Sequence, residues 1–565
     1  MKDVMSKLVA MDAAPADKKE FSNWLGLSDA IEFLKDQLRN DEVVLYAGFP
    51  HTFIHLVLVP NGVLDPLDVD DLISWSCNAS SSWGVGYVLS EPASASIEPP
   101  LGDTGSKILD HGEQLVFARF FEGRLEDRSY FEILQKMIHV LDLHYLSERA
   151  AYCRLDEFGD VEDVIRIVKS ELSTVDFNGS LVTIRRVEFE KYMALTDSSA
   201  VQMFDITRFS FDSFSGWGNH PIPNPTTEGG LTYRLVLEPG YASYLRGFHI
   251  MRPSLTSSEM AARFVKGDAR RLHESFIAFD WKNNVVREIS CGPGGTANYF
   301  TASDLPFEIS PAFFRPEVLL KYKADSEKYT LRNNSISCRG SWHLQTYDIN
   351  EYGQVHTYIR YLSQLPYEEQ RYWKAFNEAP KGPISERAFK SDFEGNWDIQ
   401  VDPLSSIKAI VGKFKQKGVP WWTLRSPKLV DQVNYPVTSS PDEWADEILR
   451  LDQLIVEGFE QKYLRGESKD LGRVPAVQAG SLTLVEECLS GLGFEDTRAK
   501  EIVKPLKELH FLRSKVKGHA SGHEAVKIKR DLLAKRGSYK QQFYALCGEC
   551  EESLRTINEA FAAFK

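Results

Sequence analysis

Cysteine is scarce in this 565-residue chain: seven, at Cys77, Cys153, Cys291, Cys338, Cys488, Cys547 and Cys550. An odd and scattered set excludes the disulfide framework of small secreted domains and fits a reducing compartment. Long apolar runs are missing as well, and none has the length of a membrane-spanning helix. The opening stretch, "MKDVMSKLVAMDAAPADKKEF", holds no continuous apolar core of signal-peptide length. The expectation is a cytoplasmic protein without a membrane partner. Positive charge is in deficit, with 66 Lys+Arg against 80 Asp+Glu and a net charge of −14. The surface as a whole is therefore no polyanion binder, and a nucleic-acid contact has to be a local patch. Catalytic signatures are also absent: no P-loop, no HExxH and no GxSxG appears. No internal repeat and no regular βαβ alternation are present, and no cofactor is indicated.

What is present is an ordinary folded composition, 43% hydrophobic and 12% aromatic, in a chain too long for a single core. The patterning predicts a multidomain α+β protein. Residues 1–150 read as a mixed α+β domain, with "EVVLYAGF" and "TFIHLVLVP" as strands and "SYFEILQKMIHVLDLHYLSER" as a long helix. Residues 151–411 read as a β-rich mixed domain, including a hairpin in "DWKNNVVRE" whose Asn283 and Asn284 suit a left-handed turn. The proline-punctuated stretch 412–434 reads as a linker. Residues 435–565 read as an all-α bundle. It opens on a Ser440 N-cap, Pro441 at the first helical position and a capping-box Glu443. Trp444, Ile448, Leu451, Ile455 and Phe459 follow as one apolar stripe.

Most candidate sites dissolve on inspection. "CGPGGTANYF" (Cys291 to Phe300) lacks the lysine and hydroxyl of a phosphate loop and the full dinucleotide-binding spacing, and reads as a turn between strands. Cys547 and Cys550 have metal-ligand spacing, but no second pair completes a tetrahedral site, so packing within a helix is the simpler account. No metal ligand set is assigned.

One stretch stands out, "LHFLRSKVKGHASGHE" (Leu509 to Glu524). Six positions separate Arg513 from His519, about 120° apart on an ideal helix, so the pair meets only where the helix ends. Gly518 and Ala520-Ser521-Gly522 supply such an end. From Arg513 to Lys540 nine basic residues face two acidic ones, a local balance of +7. A patch of this kind attracts RNA, because lysines neutralise phosphates.

In its helical setting, "FLRSKVKGHASG" resembles the HEPN domains (higher eukaryotes and prokaryotes nucleotide-binding) of bacterial abortive-infection and anti-phage proteins. Their signature is an arginine followed by a polar residue and, after four to six intervening positions, a histidine. Here the residues are Arg513, Ser514 and His519. Many active members carry Asn, Asp or His where this chain has Ser514. The resemblance covers the last 130 residues or so and implies metal-independent endoribonuclease activity. His519 would be general acid/base, Arg513 would stabilise charge on the phosphorane, and Ser514 would orient phosphate or imidazole. Lys515, Lys517, Lys527, Lys529 and Arg530 would guide the RNA. The family also implies a homodimer or higher homo-oligomer. The N-terminal region would then be a sensor answering a phage-derived or partner-protein trigger. The alternative is a HEPN-like dimerisation or RNA-binding module without catalysis. A third reading places an unrelated hydrolase in residues 151–400, where no catalytic constellation supports it.

Overall fold

The computed structural model describes residues 2–90, 92–121, 128–169, 179–210, 213–219, 221–266, 271–396, 402–518 and 523–563. The chain forms two units, one of residues 1–156 with 161–270, the other of 157–160 with 271–565.

The first unit is built on an eleven-stranded sheet. In chain order its strands are β1 (Glu42–Gly48), β2 (Thr52–Pro60), β3 (Glu113–Gln114), β4 (His144–Leu146), β5 (Ala151–Leu155), β6 (Val161–Lys169), β7 (Ser180–Arg185), β8 (Ser198–Phe209), β9 (Thr226–Glu228), β10 (Leu231–Glu238) and β11 (Ala242–Met251). They run β9-β10-β11-β8-β2-β1-β7-β6-β5-β4, with β3 beside β2. All the pairings are antiparallel. Alternation sends Val43 and Leu45 of β1 to one core and Val44 to another, and a bulge between Val44 and Tyr46 resets the pattern, so that Tyr46 joins the first core and Ala47 the second. Helices α1 (Lys18–Leu25) and α2 (Ser28–Gln37) are fastened to this sheet by Arg208 of β8, and α3 (Arg186–Leu195) follows β7 directly. The fully buried Arg208 guanidinium donates to Asp29 at 2.7 and 2.8 Å, to the Met11 carbonyl at 3.0 Å and to the Trp24 carbonyl.

Two sequence expectations fail in this unit. The boundary expected at 150/151 falls inside the sheet, since β4 pairs with β5 across it. The long helix expected from "SYFEILQKM" begins instead as a strand, Arg128–Ile133, paired with Val116–Phe121. Aromatic and branched residues there find cross-strand partners, and that pairing outweighs the helical spacing.

The second unit joins a β-rich part to a helical bundle. Its strands are β12 (Ser275–Asp280), β13 (Val285–Ser290), β14 (Pro311–Phe314), β15 (Tyr329–Leu331), β16 (Ile336–Cys338), β17 (Trp342–Leu344), β18 (Asp348–Ile349), β19 (Val355–Tyr358) and β20 (Asn377–Glu378). One sheet runs β13-β12-β14-β19-β18 with β20 beside β14, and β15-β16-β17 forms a second. The β12–β13 hairpin turns as expected, with Asn284 at φ 54°.

The bundle contains α4 (Pro403–Lys417), α5 (Pro441–Ile455), α6 (Gln461–Asp470), α7 (Ser481–Gly491), α8 (Asp496–Arg513), α9 (His523–Arg536) and α10 (Tyr539–Ala563). The expected linker at 412–434 is therefore corrected. Leu404, Ile407, Val411 and Phe414 of α4, together with Trp421 and Trp422, lie in the core shared with α5, α7, α8 and α10. Prolines interrupt the periodicity of this stretch, but its tryptophans carry the burial. Trp422 also donates to the Ile455 carbonyl at 2.9 Å.

The start of α5 follows the sequence expectation closely. Ser440 accepts from the Asp442 and Glu443 amides, and all five residues of the predicted stripe are buried. Glu443 does not close a reciprocal box on Ser440. Its carboxylate takes the Val437 and Thr438 amides at 3.0 and 2.8 Å, and the Lys323 ammonium with them.

Candidate functional site

Helix α8 buries Ala499, Ile502, Val503, Leu506, Leu509 and Leu512 on one face. His510 and Arg513, four positions beyond Leu506 and Leu509, continue that stripe at the C-terminal end of the helix, where full burial gives way to half-exposed side chains. Helix α5 faces that end with Asp452, and Glu457 follows in the turn Val456–Gly458. Asp452 Oδ1 stands 3.1 Å from His510 Nδ1, and Asp452 Oδ2 stands 3.8 Å from Arg513 Nε. Arg513 Nη2 donates to Glu457 Oε1 at 3.2 Å, and Arg425 engages the same Glu457 carboxylate.

The electrostatics of this group are uneven. Asp452 is wholly buried, and its Oδ2 accepts no hydrogen bond. Burial pushes its carboxyl above the ordinary range, a shift that His510 and Arg513 oppose and Glu457 reinforces. The His510 side chain is 47% exposed. A buried carboxyl at Nδ1 fixes the imidazole and leaves Nε2 as the nitrogen free to exchange protons, the arrangement by which a carboxylate orients a catalytic histidine.

After Arg513 the helix widens into a π-turn, Ser514–Gly518, a local form that recurs at functional sites. Ser514 Oγ donates to the His510 carbonyl at 3.0 Å, so in this arrangement its hydroxyl closes on its own helix. Lys515 lies 5.7 Å from the Phe511 ring centre. On α9, Lys527 is exposed, Lys529 lies 3.4 Å from Asp442 and Arg530 lies 3.8 Å from Asp531. His519 and the Lys517 side chain lie outside the described residues. Lys540 does not belong with the surface patch to which its sequence position assigns it. It lines a cavity described below.

Sequence reasoning missed Asp452, Glu457 and His510. Two signals were available: the His510–Arg513 spacing of one helical turn, and a charged residue set among Ile448, Leu451 and Ile455 on the inward face of α5.

Other candidates give no site. Cys547 and Cys550 are fully buried and their thiols are pushed up by desolvation. Among the described residues no group of His, Cys, Asp and Glu is placed to hold a metal ion. No helix among them is long and apolar enough to cross a membrane. The Cys291–Gly295 stretch is a turn after β13 in which Gly294 takes a φ of 79°. Compared with family models, with curated proteins and with solved structures, the chain matches none of them.

Proposed function

We propose that the C-terminal helical region is a metal-independent endoribonuclease of the HEPN kind, acting as a homo-oligomeric effector of anti-phage defence. The observation that carries this reading is the imidazole of His510, held by the buried Asp452, one helical turn from Arg513. Cleavage by the RNA's own 2′-hydroxyl requires three things of the protein. A base takes the 2′-hydroxyl proton, an acid protonates the departing 5′-oxygen, and a cation stabilises the phosphorane. Arg513 is the cation. His519 and His510 divide the proton transfers, and Asp452 holds the second imidazole in place. The bond from phosphorus to the 5′-oxygen breaks, leaving a 2′,3′-cyclic phosphate. Lys515, Lys517 and Lys527 guide the strand, and residues 1–411 answer the trigger.

A specific observation favours the second reading, an RNA-binding or dimerisation module without catalysis. Arg513 already holds Glu457, so an incoming phosphate has to compete with a carboxylate. Incubation of end-labelled RNA with the purified protein in EDTA separates the two. Cleavage yielding cyclic-phosphate ends, abolished by Arg513→Ala and His519→Ala and weakened by His510→Ala, is the expected result. RNA retention without cleavage, in the presence of phage lysate as trigger, supports the module.

A further inference from the structure

The second unit holds a cavity of about 420 Å³, open to solvent, between the β15–β16 region and helices α4 and α10 of the bundle. Three cations line it, Arg332, Lys408 and Lys540. The Lys408 ammonium and the Arg332 guanidinium make no hydrogen bond or ion pair with any described residue, and the closest partner of Lys540 is Asp348 at 3.9 Å. Carboxylates are near, but most are committed elsewhere. Asp402 accepts from the Tyr435 hydroxyl at 2.6 Å and caps α4 through the Ser405 amide. Glu447 is engaged by Lys323, Arg450 and the Asn434 amide. Asp348 holds Arg387 at 2.9 Å and accepts from Ser385. The hydrogen-bonding capacity of Lys408 and Arg332 is therefore left open; desolvation lowers Lys408 and Lys540 below their ordinary range, against the opposing pull of Asp431, Glu447 and Asp402 on Lys408 and of Asp348 and Asp402 on Lys540. Lys540 is densely surrounded and yet its side chain is 24% exposed, because the space it faces is the cavity.

A half-buried ammonium that makes no hydrogen bond, as at Lys408, costs stability. Compact ammonium groups suit phosphate oxygens, which accept point charges from several directions. On the same wall Asp431 makes no side-chain hydrogen bond among the described residues, and it can accept from hydroxyl groups. The rings of Tyr347 and Tyr435 bound the remaining space. The volume lies in the range of small-molecule sites.

We propose that this cavity binds a phosphorylated sugar of up to mononucleotide size, its phosphate held by Lys408, Lys540 and Arg332 and its hydroxyls by Asp431. The site is separate from the Arg513 cluster and stands whether or not that cluster cleaves RNA.

The test is calorimetric titration and thermal melting of the full-length chain with inorganic phosphate, ribose 5-phosphate, the four nucleoside monophosphates and adenosine. The expected result is binding of ribose 5-phosphate or a monophosphate more tightly than inorganic phosphate, with no binding of adenosine. Lys408→Met and Lys540→Met should each weaken that binding at least tenfold. Asp431→Asn should weaken the sugar phosphates while leaving inorganic phosphate unchanged. The ligand-free Lys408→Met protein should also melt higher than wild type, which separates lost recognition from lost folding. Any of three results overturns the proposal: no phosphate compound binds at millimolar concentration, the lysine variants bind as wild type does, or Lys408→Met melts lower without ligand.

Discussion

Three sets of cations in this protein sit in three different electrostatic settings. Arg208 is fully enclosed and its guanidinium holds both oxygens of Asp29 and two main-chain carbonyls. Arg513 is a third exposed, with Glu457 at 3.2 Å and the buried Asp452 at 3.8 Å. Lys408 has no hydrogen-bonding or ion-pairing partner among the described residues. The first setting is that of a structural clamp, the second of a group held ready and only partly neutralised, the third of a charge awaiting an anion. Pairing distinguishes them more sharply than burial does, because an enclosed charge is tolerated when paired and costly when not.

The largest effect expected from breaking this comparison is at Arg513. If it stabilises the phosphorane, Arg513→Ala lowers RNA cleavage by about a hundredfold, roughly 2.7 kcal/mol of transition-state stabilisation. The melting temperature should fall less than it does for Arg208→Met, since the buried Asp452 keeps His510 beside it and Glu457 keeps Arg425. Cleavage rates under single-turnover conditions, set beside a melt of the same sample, check both halves.

Arg208→Met comes next and has the reverse profile. It removes a buried clamp between a strand and two helices, so chemical denaturation should show a loss of about 2 kcal/mol. RNA cleavage by the folded fraction should be unchanged. A loss of cleavage without a loss of stability would mean that Arg208 has been placed in the wrong class.

Lys408→Met has the opposite sign. Removing an unpaired, recessed charge and replacing it with an apolar side chain of similar length should stabilise the ligand-free protein by about 1 kcal/mol. Denaturant midpoints at equal slope measure the difference.

How much of this the sequence disclosed depended on whether the cause was local. The Ser440–Pro441 helix start, the Trp444-to-Phe459 stripe and the Asn284 turn depend on neighbours within a few residues, and each was legible. The first boundary was not, because pairing of β4 with β5 across 150/151 is set by the whole sheet. The Trp421–Trp422 segment read as a connector because prolines mask a burial that α5 and α10 supply from elsewhere in the chain. At the candidate site Arg513 was singled out by its spacing from His519. Its carboxylates, Asp452 and Glu457, lie some sixty positions away, and no spacing rule links them to it. Lys540 showed the same limit: in sequence it belonged to a basic run, and in the fold it lines a cavity.

The smallest effect expected is also the most discriminating, and it concerns Asp452. Burial raises its carboxyl above 3.8, the unperturbed value, against the opposing pull of His510 and Arg513 and with reinforcement from Glu457. An acid whose folded pKa is raised contributes its full stability below the unfolded value and loses it as the pH rises through the folded one. Asp452→Asn cannot ionise, so it should match wild type in acid and gain on it as the pH rises from about 4. Melting curves taken from acid to neutral pH show whether the two diverge in that direction. The same substitution should slow RNA cleavage about tenfold at neutral pH, because the amide no longer holds the His510 imidazole as the carboxylate does. Higher stability with poorer cleavage would mark a carboxylate retained for chemistry at a cost to the fold. Lower stability at every pH would instead make Asp452 a second structural clamp, moving the whole Arg513 cluster into the class of Arg208.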